Sequence, residues 1–147
     1  MKQAGHRAVA VFLSLLLAGV APAWSQTKPS EADLTNLMIR GYDLLQEGKL
    51  DQAQATYNRV LQSDPSNPLA LNNLGAIMVK RGNYKKALDY LKQAKAQAKG
   101  HRVFVSRLCD VNGVCLALRP SSDPFGGDEI EPLIDFNISM LKLMLAH

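Results

Sequence analysis

Residues 34–67 and 68–101 repeat one another at a spacing of 34. Leu37 returns as Leu71, Gly41 as Gly75, Gly48 as Gly82 and Ala53 as Ala87. A unit of that length reads as a pair of antiparallel helices that buries one face only against the next pair, so the pairs must stack into a solenoid. Stacked helix pairs mostly hold other polypeptides. The repeat therefore points to binding rather than to chemistry.

Residues 1–25 belong to a different category. Lys2, His6 and Arg7 precede an apolar run from Ala8 to Val20, followed by Ala21, Pro22, Ala23, Trp24 and Ser25. A basic start, a short apolar stretch and small residues at its end describe a secretory signal, with cleavage after Ala23 or after Ser25 fitting equally well. The run is shorter than the ~20 residues that span a bilayer, so stable membrane insertion after processing is not expected. Val20 stands where an exported lipoprotein needs a cysteine. The formal charge of +4 includes Lys2 and Arg7. Processing removes part of that excess, and with export it argues against nucleic acid as a partner. Residues 26–33 form a lead-in.

Local signals mark the helix ends. Ser30 and Asp33 have the spacing of a capping box, after which Leu34, Leu37, Met38, Leu44 and Leu45 recur at helical intervals. Gly48 suits the left-handed conformation that ends a helix. Ala53, Tyr57, Val60 and Leu61 then share one face, and Asp64-Pro65-Ser66-Asn67-Pro68 stops the second helix. Asn67 can cap a third helix, with Pro68 at its first position, where a missing N–H costs nothing. Leu71, Leu74, Ile77 and Met78 line that helix. Gly82 turns the chain, and Tyr84, Ala87, Leu88, Leu91 and Ala94 line the fourth. Gly41, Gly75, Ala53 and Ala87 are small where neighbouring helices must approach closely.

Residues 69–94, from Leu-Ala-Leu-Asn-Asn-Leu-Gly to Gly-Asn-Tyr-Lys-Lys-Ala-Leu and on to Ala94, carry a recognisable pattern. On them the chain resembles the tetratricopeptide repeat family across residues 31–100. The first unit is looser: Arg40 precedes Gly41 where an apolar residue is usual, and Leu50 takes the place of Tyr84. The resemblance implies a right-handed α-solenoid whose first helices line a concave groove for a peptide or helix. Met38, Tyr42, Leu45, Asn72, Asn73, Val79 and Lys80 are the expected partner-binding residues, with Thr35 and Ala76 beside them. Asn73 matches an asparagine that some family members use to hold a peptide backbone or carboxylate. The lysines of chaperone-tail clamps have no counterpart in the first unit.

Two repeats leave an outer face uncovered, and residues 101–147 are the candidate cover. Residues 102–119 read as a β-hairpin: β-branched residues enter at Val103 and Val105, and Asn112-Gly113 is a strong turn signal. A two-residue turn there would put Cys109 and Cys115 on opposite faces, whereas a three-residue loop would set them across from each other. Two nearby cysteines in an exported chain favour a structural disulfide. Residues 120–130 read as a loop and 131–146 as a capping helix with Leu133, Ile134, Ile138, Leu141, Met144 and Leu145 on one broad face, Phe136 and Leu143 off to the side. A partner or a second copy of the chain docking on this helix is the competing reading.

From Lys80 to Arg107 basic residues dominate, and acidic residues follow from Asp123 to Asp135, so a solvated face partly neutralised by the acidic stretch is expected. His101 and His147 lie at segment ends with no nucleophile or acid arranged beside them. The spacing supplies neither a metal-ligand set nor a phosphate loop, and no cofactor is expected. The reading is a mostly α protein: two helix-turn-helix repeats, a small hairpin and a terminal cap. It would be exported to the periplasm, without lipidation, as a non-enzymatic adaptor that holds another envelope protein during assembly of a pilus, secretion or outer-membrane machine, a setting implied by the resemblance. Two alternatives stand beside it: a C-terminal module that binds a small ligand or envelope polymer, and a thiol–disulfide redox protein working through Cys109 and Cys115.

Overall fold

In the computed structural model, residues 28–103, 105–108, 116–120 and 127–146 are described. The expected signal segment, the Asn112-Gly113 turn and both cysteines lie outside them. Four helices form the two repeats: α1 (Glu31–Gln46), α2 (Leu50–Ser63), α3 (Pro68–Lys80) and α4 (Tyr84–Ala98). Each begins and ends for a local reason. Ser30 Oγ accepts the Asp33 N–H at 3.2 Å while the Asp33 carboxylate accepts the Ser30 N–H at 3.0 Å. That reciprocal cap contributes about 1 kcal/mol, and the hydrogen bonds from Ser30 hold the Asp33 carboxyl below its usual range. Asn67 Oδ1 accepts the Ala70 N–H at 3.0 Å with Pro68 at the first helical position. Gly48 and Gly82 close the first helix of each pair at φ +74° and +72°. Side chains with a Cβ reach that region only at a cost.

The pairs pack α1 on α2, α2 on α3, and α3 on α4. Ala53 and Ala87 are fully buried at the contacts. α3 is the centre of the molecule: every residue from Pro68 to Met78 is buried, which is why this segment carries so little charge. Leu74, Ile77 and Leu91 are wholly shielded. Burial of each such side chain is worth about 1.5–3 kcal/mol.

Beyond α4 the described residues form four short strands: β1 (Arg102–Val103), β2 (Val105–Leu108), β3 (Ala117–Pro120) and β4 (Asp128–Glu129). β2 and β3 pair antiparallel, Val105 opposite Pro120 and Leu108 opposite Ala117, a register symmetric about positions 112 and 113. β1 pairs antiparallel with β4, and the Ile130 N–H reaches the His101 carbonyl at 3.2 Å. Two departures from expectation appear here. Pro120 continues the strand, where a loop was expected to begin. Asp128 and Glu129, expected within that loop, form β4. Pro120 fits in a strand because Leu118 turns its main-chain groups away from β2, and alternation turns those of Pro120 the same way, so its absent N–H is not missed in the ladder.

The last helix, α5 (Ile130–Leu145), lies mainly against α4. Ile130, Ile134, Ile138 and Leu141 are buried beneath it. Lys95 Nζ binds Asp135 at 2.6 Å, and this hydrogen bond raises the Lys95 pKa. Leu145, expected on the packed face, is 42% exposed in the final turn. Asn137 is buried in the middle of the helix. Its partners lie in the groove.

Candidate functional site

The first helices of the two pairs, α1 and α3, form the concave wall of the stack, and β3 lies against both. Leu116, Ala117 and Leu118 are buried there. The wall grips this segment by its main chain. Asn73 makes a two-point contact with Leu118: its Nδ2 donates to the Leu118 carbonyl at 2.7 Å and its Oδ1 accepts the Leu118 N–H at 2.9 Å. A side-chain amide thus replaces a neighbouring strand. Asn72 Nδ2 donates to the Leu116 carbonyl at 2.7 Å, and Asn137 Nδ2 donates to the same oxygen at 3.0 Å.

The amides also bind one another. Asn72 Nδ2 donates to Asn73 Oδ1 at 3.1 Å, and Asn137 Nδ2 donates to Asn72 Oδ1 at 2.9 Å. Asn73 Nδ2 donates its second hydrogen to the Tyr57 hydroxyl at 3.1 Å. Asn73 therefore uses both hydrogens and both lone pairs, the full capacity of an amide. Among the described residues no buried side-chain polar atom lacks a partner. A fully satisfied network stabilises a unique arrangement, whereas a half-satisfied one would cost more than an apolar core. At the rim, Arg119 Nε lies 3.5 Å from the Asp43 carboxylate and ties the strand to α1.

Placement of the expected partner-binding residues follows from this arrangement. Met38, Tyr42, Leu45, Asn72 and Asn73 are buried, Val79 is half-buried and Lys80 is exposed at the end of α3. The central part of the groove is filled by residues 116–120 of the same chain. Sequence reasoning had no route to Asn137, although an asparagine amid Ile134, Ile138 and Leu141 is itself a signal that a buried polar partner exists.

Beside Pro120 the described residues leave a cleft. Leu34, Thr35, Met38, Leu69 and Val103 line it, with Glu31, Asp64 and His101 at its edge. Its floor is apolar and two carboxylates stand at its rim. Among the described residues no three His, Cys, Asp or Glu side chains gather as a metal site. No helix among them is long and apolar enough to cross a membrane.

Burial raises the Tyr57 phenol pKa well above its ordinary value. The group is neutral in the fold and ionises more readily unfolded, so its contribution is fully present below pH ~10 and is lost as pH rises beyond that, by about 1.4 kcal/mol per unit. Tyr57→Phe should remove that alkaline loss. At neutral pH it should cost about 1 kcal/mol, because one Asn73 hydrogen is left without an acceptor. Urea midpoints measured from pH 7 to 11 check both; an unchanged alkaline slope in the variant would show that another group controls it.

No curated protein matches the chain. A family model for the tetratricopeptide repeat matches residues 44–104, from the end of α1 through α4 and β1. Such repeats mediate protein–protein interaction and are typically non-catalytic. The paired helices, the glycine and alanine contacts between them and this match together identify residues 44–104 as tetratricopeptide repeat.

Proposed function

We propose that the protein is a non-enzymatic adaptor of the cell envelope that holds an extended segment of another envelope protein during assembly of a larger complex. The observation that carries this reading is the concave face itself: it binds a polypeptide by main-chain groups and leucine side chains, and beside Pro120 the described residues leave a cleft. A partner segment laid in that cleft would lie beside Pro120. It would set apolar residues on Leu34, Met38 and Leu69 and a basic residue beside Glu31 and Asp64. This is peptide recognition by an apolar floor and a charged rim. The sequence of residues 1–25 supports the envelope setting.

Thr35 is half-buried on the lip of the cleft. A photo-crosslinking residue at position 35 should trap one envelope protein in cells. Thr35→Trp should fill the cleft and reduce the same complex, captured from the envelope fraction, at least about tenfold, with an unchanged unfolding midpoint. Capture unaffected by Thr35→Trp, or a protein retained in the cytosol with its leader intact, would overturn the reading.

A further inference from the structure

The outer side of the first repeat is finished differently from the matching side of the second. At a spacing of 34, Leu37 corresponds to Leu71 and Arg40 to Leu74. Leu71 and Leu74 are buried, whereas Leu37 is half-buried and Arg40 exposed. An unstacked repeat face needs polar groups for solubility, and scattered ones of either sign would serve. This face instead carries a hollow of about 460 Å³ with Leu37 in its lining. Lys28 of the lead-in, Arg40 of α1 and Arg59 of α2 surround it.

These three cations lack the counter-charge of an ordinary solvated face. None of them forms an ion pair among the described residues. The one carboxylate in the lining, that of Asp33, is already engaged. Its Oδ2 accepts the Ser30 N–H at 3.0 Å and the Ser30 hydroxyl at 2.7 Å. Like charges brought together from three segments repel one another, and an anion seated between them relieves that repulsion. Guanidinium groups offer paired donors that match the two oxygens of a carboxylate. An acidic peptide meets both demands, its carboxylates on the cations and one apolar side chain on Leu37. The flat headgroup plane of a bilayer would leave the leucine uncovered.

We propose that this hollow is a second docking site, which takes an acidic segment of a partner protein with one apolar residue among its carboxylates. It is separate from the cleft. On α1 the cleft is lined by Glu31, Leu34, Thr35 and Met38, and the hollow by Asp33, Asn36, Leu37 and Arg40. At about 100° per residue the two sets lie on opposite sides of the helix. Their rims differ in sign, carboxylates at the cleft and cations at the hollow. One adaptor would then hold a basic segment on one side of α1 and an acidic segment on the other.

NMR titration of the isotope-labelled processed chain with the peptide Glu-Glu-Leu-Glu-Glu tests this. The amides of Leu37, Arg40 and Arg59 should shift saturably with a Kd below about 1 mM in about 50 mM salt, and binding should weaken several-fold in about 300 mM. Both arginines are exposed, so their substitution should leave the unfolding midpoint unchanged. Arg40→Leu, which installs the residue of the second repeat, and Arg59→Glu should each weaken binding at least about fivefold. Lys92→Glu on α4 alters net charge as much as Arg59→Glu does, yet it should keep the Kd within about twofold. Glycine in place of the peptide's leucine should weaken binding, because Leu37 is then left bare. Absence of saturable shifts at these amides, or equal losses for Lys92→Glu and Arg59→Glu, would overturn the site. Phosphatidylglycerol vesicles that shift the same amides when the peptide does not would overturn the peptide as occupant. The Thr35 crosslink reports on the opposite side of α1, so its failure is distinguishable from the failure of this site.

Discussion

Replacing Asn73 by alanine should lower the free energy of unfolding by about 3–4 kcal/mol and the melting temperature by ~15 °C. The size of the effect follows from what the amide satisfies. Its removal orphans the N–H and the carbonyl of Leu118 together, and it takes the donor from the Tyr57 hydroxyl and the acceptor from Asn72. All of these groups are buried, so water cannot replace the lost partners without opening the groove. Asn73→Asp should be worse still near neutral pH, because a carboxylate would face the Leu118 carbonyl where a donor now stands. Urea unfolding measures the loss. Hydrogen exchange at the Leu118 amide gives a second reading, since this amide should exchange far faster in the alanine variant while those of α4 change only in step with global stability. A loss under about 1 kcal/mol would mean that the strand is held by packing rather than by the asparagines.

Two glycines that look equivalent in the repeat should respond unequally to the same change. A Cβ at Gly41 would lie 2.7 and 2.8 Å from ring carbons of Tyr57. That ring is fully buried and held at its hydroxyl, so it cannot swing aside. Alanine improves helix propensity by about 1 kcal/mol, but the clash costs more, and Gly41→Ala should destabilise by about 2 kcal/mol net. At Gly75 the nearest atoms are the end of Leu91 at 3.1 Å and the Ala87 carbonyl at 3.4 Å. A leucine can give by a few tenths of an ångström. Gly75→Ala should therefore fall within about 1 kcal/mol of wild type, gain and strain offsetting each other. Shrinking the obstacle isolates the mechanism: in a Tyr57→Leu background the Gly41→Ala penalty should drop by at least about 1 kcal/mol, a coupling read from a double-mutant cycle. Equal penalties at both glycines would remove the ring from the explanation.

The helices were legible in the sequence because what defines them is local. Ser30, Gly48, Asn67 and Gly82 act within four residues of themselves, and the leucine spacing sets each buried face. The close approaches at Gly41 and Gly75 could be read as well, because the same small residue recurs one repeat later. The filled groove could not be read in this way. It depends on Asn72, Asn73 and Asn137 meeting residues 44, 45 and 65 positions away, and no periodicity encodes such a meeting. A trace of it was present nonetheless. Adjacent asparagines within Leu69–Met78 must be either exposed or partnered, and the repeat geometry buries that helix on every side. The C-terminal strand was misjudged at its end for a related reason: Pro120 signals a break only where its N–H would be needed, and that depends on which edge of the strand faces a neighbour. On α5, periodicity separated the inner face from Phe136 and Leu143 correctly, but end effects exposed Leu145.

The amide triad also imposes an order on synthesis. When α1 to α4 have emerged from the ribosome, the concave wall is complete but Asn72 and Asn73 bind only each other and Tyr57, and Leu74 and Met78 lie in a half-made helix layer. Leu116 and Leu118 arrive only about twenty residues after α4, and Asn137 about forty, to close it. Until then the nascent protein presents a wet, adhesive trough to whatever is nearby. Premature termination after the second repeat would leave it in that condition permanently.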